Sequence, residues 1–402
     1  MLSKKTIDQL ELKGRRVFIR VDFNVPLQDD VIGDDTRITA ALPTLTHALE
    51  RGATLILGSH LGRPKGRAAP SLSLRPVASR LSALLDRPVV FAGDCIGDPV
   101  RTALDQAATG RVVLLENLRF HAGEEANDDE FARALAEPAQ CYVNDAFGTA
   151  HRAHASTAGI VTHLPDAAAG LLMAAELRHL GALLGKPARP FVAILGGAKV
   201  SGKLEVIENL LGRVDALLVG GAMAYTFFLA RGIPVGQSLV ERDLVAITRD
   251  IVQNASTRGV RLELPTDHVV ADRLEAQAAF ETLAVDDPSI GARRGVDIGP
   301  TTVARYAELI HGAKTVVWNG PMGVFEIDPF SPGTVALAKA VAASNAHSVV
   351  GGGDSVAAIG RAGVASGITH ISTGGGASLE LLAGRRLPGV EILSDMPTEG
   401  DS

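Results

Sequence analysis

Cysteine is nearly missing from this 402-residue chain: only Cys95 and Cys141 occur. Two thiols cannot build a disulfide framework, and they show no metal-site spacing, so both are expected to be reduced, as in a cytoplasmic protein. An excess of positive charge is absent as well. The formal net charge is −6, which argues against nonspecific binding to nucleic acid or to an acidic membrane. No apolar run approaches the ~20 residues that a membrane-spanning helix requires. The mixed-charge start runs quickly into strand-like residues, so no signal or transit peptide is expected. Fixed-period repeats, low-complexity stretches and a G-x-S-x-G elbow are also missing, so neither a solenoid nor Ser-His-Asp chemistry is indicated. Lysine is scarce, with nine residues among 39 basic ones, yet two of the nine, Lys199 and Lys203, share one glycine-rich loop.

What is present is the balance of a folded globular protein, 46% hydrophobic and 21% charged. The length predicts two domains. Disorder is expected only at the polar end, Met396–Ser402. Short apolar, β-rich runs recur with helix-length segments between them: Val17–Val21, Thr54–Leu57, Pro88–Phe91, Val112–Leu115 and Cys141–Val143, then Phe191–Leu195, Ala216–Val219, Arg261–Leu264, Thr282–Val285, Thr315–Trp318, Ser348–Val350 and Thr369–Ser372. Most are nearly continuous in apolar residues rather than alternating, the mark of strands covered on both faces. The fold class predicted is α/β, with two doubly wound, Rossmann-like parallel sheets.

In such sheets ligands bind beyond the carboxyl ends of the strands. Residues there differ between the two halves. The first half carries Asp22-Phe23-Asn24, Ser59-His60-Leu61-Gly62-Arg63-Pro64, Glu116 to Phe120 and Asn144 to His154. Arg63, Arg119 and Arg152, joined by Arg37, His60, His151 and His154, would concentrate positive charge, and arginine's planar fork holds carboxylates and phosphates at two points. An anion site is predicted there; any single arginine could equally be a surface ion pair.

The second half carries glycine: Gly196-Gly197-Ala198-Lys199, Gly220-Gly221-Ala222, Asn319 to Gly323, Gly351 to Ser355 and Gly374 to Gly376. Glycine-rich strand-to-helix turns expose N–H groups that attract phosphate. Asp354 suits either a Mg²⁺ ligand beside nucleotide phosphates or a helix N-cap, and spacing leaves both open. Gly197 to Lys203 satisfies G-x-x-x-x-G-K, but Leu204 stands where a P-loop needs Ser or Thr, which disfavours a P-loop NTPase. Lys199 and Lys203, four apart at a helix start, are expected on one face.

These blocks, together with Arg20 to Leu27, Leu115 to Phe120, Trp318 to Glu326 and Ser372 to Ser378, resemble phosphoglycerate kinase over nearly the whole chain. The resemblance implies reversible, Mg²⁺-dependent transfer between 1,3-bisphosphoglycerate with ADP and 3-phosphoglycerate with ATP, a glycolytic step carried out by a monomer. It implies that Asp22, Phe23, Asn24, Arg37, His60, Leu61, Gly62, Arg63, Arg119, His151 and Arg152 hold phosphoglycerate. Gly197, Lys199, Lys203, Gly295, Pro321, Glu326, Gly352, Gly353, Asp354 and Ser355 would serve the nucleotide, with Asp354 on the metal. Arg37, Lys199, Lys203 and Gly375 would act on the group in flight, the last among the Gly374–Gly376 amides. It further implies a phosphoglycerate domain at 1–170, a linking helix and hinge at 171–185, a nucleotide domain at 186–386, and a tail from 387 returning to the first domain. Gly202 stands where Asp is usual and Thr301 where lysine is frequent. A catalytically silent nucleotide-binding scaffold would have lost Arg37, Lys199, Lys203 or Asp354, and all four are present.

Overall fold

The computed structural model describes residues 4–108 and 110–396. The expectation of disorder beyond Met396 therefore lies outside the described residues. Residues His179–Arg385 form one compact unit, and the described residues on either side of them, up to Arg178 and from Arg386, form another.

The unit holding both chain ends is built on six parallel strands in the order Val90–Phe91, Val112–Leu114, Thr54–Gly58, Arg16–Arg20, Cys141–Asn144, Ala167–Ala169. The chain enters at Arg16–Arg20, builds outward through Thr54–Gly58, and returns to add Cys141–Asn144 on the other flank. That reversal creates a switch point at the carboxyl ends of Arg16–Arg20 and Cys141–Asn144. Val17, Phe18 and Ile19 are wholly buried, and helix Thr36–Glu50 lays Ile38, Ala41, Leu45 and Ala48 on the sheet. Each of the Val, Ile, Phe and Leu side chains contributes roughly 1.5–3 kcal/mol through burial. The returning segment is seated by Gly389, whose N–H donates to the Ala150 carbonyl at 2.9 Å while its own carbonyl accepts from Asn144 Nδ2 at 2.9 Å. Lys4 closes the same corner against Asp395 at 2.8 Å.

The second unit has six parallel strands in the order Arg261–Glu263, Ala216–Val219, Phe191–Leu195, Thr315–Asn319, His347–Gly351, His370–Ile371. Its switch point lies between Phe191–Leu195 and Thr315–Asn319. Trp318 fills the core beneath, among Val192, Ile194, Leu337 and Val350. A third, antiparallel sheet was not anticipated: Asp267–Ala271 pairs with Phe280–Ala284 on one side and Arg294–Ile298 on the other. The segments Asp267–Ala271 and Arg294–Ile298 were absent from the sequence reading because each mixes charged or polar residues with apolar ones, unlike the apolar runs of the main sheets. The register shifts between Val269 and Val270, opposite Asp297 and Gly295, and leaves Val296 as the extra residue. Helix Leu171–Leu184 is continuous, and no helix among the described residues is long and apolar enough to cross a membrane.

Candidate active site

In the unit holding the chain ends, the switch point is organised around Arg20, a charged residue at the end of an apolar strand and fully buried. Its Nε donates to Ser156 Oγ at 2.8 Å, and its guanidinium also meets the Val21 carbonyl and lies 3.3 Å from His60 Nδ1. Ser156 passes the connection on, donating its hydroxyl to the buried Glu124 carboxylate at 2.6 Å and its amide at 2.9 Å. Two buried charges linked in this way through a hydroxyl are tolerated only when their hydrogen-bonding capacity is filled.

In front of it stands Asp22. Burial works to raise this carboxyl, but His60 and then the guanidiniums of Arg37 and Arg20, with the Asn24 N–H, prevail and hold it below the ordinary carboxylate range. Arg37, in the first turn of Thr36–Glu50, pairs with it directly, and His60 Nδ1 lies 4.0 Å away. His60 is pulled well below the usual imidazole value by burial, with Arg20, Arg119 and Arg37 adding to the effect. His154 is brought down to about 4, by burial first and then by Arg119, Arg20 and Arg152. Both imidazoles are therefore neutral at pH 7.

The loops around this cluster are tied to one another. Phe23 N–H donates to Ser59 Oγ at 2.8 Å, Gly62 N–H to Asn24 Oδ1 at 2.9 Å, and Leu61 N–H to Asn117 Oδ1 at 3.2 Å. Arg119 donates to the Gly62 carbonyl at 2.9 Å and sits 3.3 Å from Glu125. Arg152 Nε donates to His151 Nε2 at 3.2 Å. Arg63 is exposed on the loop that follows Gly62. Arg37, His60, Arg119, His151 and Arg152 thus fall into one electrostatic neighbourhood with Asp22. Sequence reasoning did not assign roles to Arg20, Glu124 or Ser156. The signal for Arg20 was there, a lone arginine ending an apolar strand, whereas nothing marks Glu124 among its acidic neighbours.

In the second unit the glycines let two strand ends lie against each other. Gly197 N–H donates to the Pro321 carbonyl at 2.8 Å, and at Gly320, with φ +96°, a Cβ would come 2.3 Å from the Gly196 carbonyl oxygen. Only glycine fits there. The cavity beside this contact is lined by Gly197, Tyr225, His268, Gly295, Asp297, Pro321, Glu326 and Asp354, among others. Asp297 is buried there, and burial pushes its carboxyl up to about 7.

Lys203 bonds the Asn319 side chain and is brought down to about 8 by burial, partly countered by Asp354. Lys199 is exposed. The helix begins at Leu204, after a 3₁₀ turn over Ser201–Lys203, so both lysines precede it and do not share a helical face. That loop is held by Glu241, which accepts from Val200 N–H at 2.7 Å, Ser201 N–H at 3.0 Å and the Ser201 hydroxyl at 2.5 Å. Asp354 is exposed in the first turn of helix Gly353–Ala362, whose N-cap is Gly352, so the N-cap alternative for Asp354 is not realised. Ser355 Oγ accepts from Gly320 N–H at 2.6 Å, joining two of the glycine turns. Gly375, with φ +50°, caps helix Gly376–Leu382. Gly374 turns its N–H to Ser372 Oγ at 3.2 Å, so it is already engaged, and the amides of Gly375 and Gly376 remain as candidates.

One cluster among the described residues has metal-ligand composition, Asp94, Cys95 and His121 in the first unit. All three are occupied within the protein: His121 Nε2 meets Asp94 at 2.6 Å, and Cys95 Sγ donates to the Glu116 carbonyl at 3.1 Å.

Two doubly wound units, one with an arginine-centred switch point and one with a glycine-lined cavity, define an α/β protein equipped for anionic ligands. A phosphoglycerate kinase family model matches residues 7–385. The phosphoglycerate kinases of Anaeromyxobacter dehalogenans and Chlorobium phaeovibrioides are 55% and 53% identical, each over 98% of this chain and 100% of the relative. The structure of phosphoglycerate kinase from Coxiella burnetii superposes with a TM-score of 0.88 at 42% identity, covering 97% of this chain and 98% of that one. That from Pyrococcus horikoshii gives 0.84 at 35%, with the same coverage. The chain belongs to the phosphoglycerate kinase family and is a phosphotransferase with a carboxyl group as acceptor.

Proposed function

We propose that the arginine cluster holds the phosphoglycerate, that the glycine-lined cavity holds the nucleotide, and that transfer proceeds by placement and charge neutralisation without a proton carrier. The acyl P–O bond of 1,3-bisphosphoglycerate breaks as a β-phosphate oxygen of ADP bonds to the same phosphorus, leaving 3-phosphoglycerate and ATP. Attacking and leaving oxygens are both ionised at pH 7, so no base is needed.

The observation that carries this reading is the electrostatic state of the first switch point. Its two buried imidazoles, His60 and His154, are held neutral by burial and by guanidiniums. They would be poor bases, and the positive charge around them is permanent arginine charge. Asp22 and Asn24 would orient the substrate hydroxyl and carboxylate; Arg63, Arg119, His151 and Arg152 would take the phosphate. Arg37 and Lys199 would face the phosphoryl group in flight, with Lys203 and the amides of Gly375 and Gly376 meeting its oxygens.

Asp354 suits Mg²⁺: it is an exposed hard-oxygen donor on the cavity wall, within electrostatic reach of Lys203. Bound with the nucleotide, the ion would neutralise phosphate charge. Gly352, Gly353 and Ser355 would present the helix start to those phosphates, while Gly295, Pro321 and Glu326 would receive base and ribose. Joining two ligands held by separate units calls for closure about helix Leu171–Leu184, which would also exclude water as a competing acceptor. A cytoplasmic monomer fits this role. A coupled assay of ATP formation from 1,3-bisphosphoglycerate and ADP tests the whole reading. Full activity with Arg37 or Lys203 replaced by alanine would refute the assignment of these groups.

A further inference from the structure

The residues after strand Val90–Phe91 and those after its neighbour Val112–Leu114 meet in a cluster that the proposed transfer does not use. Asp94, Cys95 and His121 each place one ligand atom within 4.8 Å of the others. Their exposure is graded. Cys95 is 2% exposed, whereas the side chains of Asp94 and His121 are 42% and 30% exposed. An ion arriving from solvent would meet a carboxylate and an imidazole first, with sulfur behind them.

The ligand atoms are held in place. The His121 ring stacks on Phe131 of helix Asp129–Ala136, at 4.9 Å and 23°. Its Nε2 lies 2.6 Å from Asp94 Oδ1, which also accepts the Cys95 N–H at 2.6 Å. Cys95 Sγ donates to the Glu116 carbonyl at 3.1 Å. Burial, and then the carboxylates of Asp94, Glu124 and Glu116, keep the hydrogen on this thiol, and the same negative field attracts a cation. Bonds of about 2.0–2.3 Å at tetrahedral angles set neighbouring ligand atoms roughly 3.3–3.7 Å apart, so His121 and Asp94 need to part by only about 1 Å.

One thiolate, one imidazole and one carboxylate make the mixed set that Zn²⁺ accepts and that Mg²⁺, which demands oxygen, does not. We infer that Asp94, Cys95 and His121 bind Zn²⁺, with water in the fourth position, and so tie the loop after Val90–Phe91 to the loop carrying Arg119. Glu116 and His121 stand on either side of that arginine in the chain, so the ion would restrain the segment from both ends. On binding, the thiol hydrogen leaves to solvent as a proton and the sulfur bonds to the metal. The neutral imidazole gives Nε2 to the ion and carries its hydrogen on Nδ1.

The test uses the full-length protein, free of nucleotide, titrated with Co²⁺ as a coloured substitute for Zn²⁺. The native chain is expected to develop a near-ultraviolet thiolate-to-cobalt charge-transfer band that Zn²⁺ bleaches and excess Mg²⁺ leaves intact. Cys95→Ser should abolish the band. Cys141→Ser and Asp354→Asn should keep it, which separates the site from the other thiol and from the proposed nucleotide metal. Asp94→Ala and His121→Ala should weaken Co²⁺ binding about tenfold or more, at least what losing an outer partner of a metal ligand costs. Zn²⁺ should slow amide hydrogen exchange over residues 92–95 and 116–121 in the native chain and not in Cys95→Ser. X-ray absorption at the zinc edge needs no variant, and one sulfur among nitrogen and oxygen neighbours is expected. A native chain without the charge-transfer band, a band that survives in Cys95→Ser, a zinc shell without sulfur, or undiminished affinity in Asp94→Ala and His121→Ala overturns the site. Unchanged exchange in the native chain overturns the tie between the loops.

Discussion

The carboxylate of Asp22 pairs with the guanidinium of Arg37 across the mouth of the first switch point. Asp22 lies at the start of the loop after a central strand, and Arg37 is in the first turn of the helix that covers that strand's sheet. The ion pair therefore holds Arg37 in place before any ligand arrives, at a guanidinium still 41% exposed. Arg37→Ala is expected to lower kcat by about 10²-fold or more, by analogy with losing one transition-state donor, with little change in thermal stability. Near-normal turnover in a steady-state assay would remove Arg37 from the mechanism.

Behind that pair, Glu124, Ser156 and Arg20 form a buried chain. Glu124→Ala would leave the Ser156 hydroxyl and amide without their carboxylate and break the buried chain to Arg20; each buried polar group left unsatisfied costs roughly 1–3 kcal/mol. Denaturant unfolding should show the first unit losing stability by that order. A loss under about 1 kcal/mol would mean that Arg20 is compensated elsewhere.

In the proposed reading Asp354 serves the metal and not the phosphoglycerate. Asp354→Asn is expected to weaken use of the Mg²⁺-nucleotide complex severely while leaving phosphoglycerate binding intact. Separate titrations of the two ligands decide it, because an equal loss for both would make the residue structural.

Lys203 supplies a pH dependence. Burial lowers its ammonium to about 8, so the positive charge is present below that value and lost as pH rises through it. Since kcat/KM reports the free enzyme, kcat/KM for nucleotide should decline above pH 8. Lys203→Arg should move this limb to higher pH at reduced activity, because arginine keeps its charge. An unchanged alkaline limb in the arginine variant would show that another group titrates there.

Glu241 offers a case that sequence patterns did not reveal. It ties down Val200 and Ser201, between the two loop lysines, from a distant segment. Glu241→Ala should raise KM for nucleotide several-fold while sparing KM for phosphoglycerate. If both Michaelis constants stay put, the loop is ordered without it.

How much of this could be read in advance divides by type of interaction. Continuous apolar runs such as Val112–Leu115 and Phe191–Leu195 announced the two parallel sheets because strands buried on both faces leave few polar positions. Of the antiparallel sheet over Asp267–Ala271, Phe280–Ala284 and Arg294–Ile298, only the run Thr282–Val285 was marked as a strand, and it was assigned to a parallel sheet, since the other two strands mix polar with apolar residues and carry no such run. Dense local motifs, such as those that hold His60, Gly62 and Asp354, stand out in the chain itself, and the roles proposed for these residues come from the family resemblance. Supports such as Glu124 and Glu241 do not stand out, because each acts on atoms far away in sequence. The spacing of Lys199 and Lys203 misled, since four residues mean one face only inside a helix, and that helix starts later.

The contact of Gly389 with Ala150 and Asn144 has an outcome for anyone handling the molecule. The stretch at Gly389 wedges against the backbone next to His151 and Arg152, so it bears physically on a loop proposed to face an anion. Cutting the chain before Gly389 would remove the wedge and is expected to weaken phosphoglycerate binding more than 200 residues earlier in the chain.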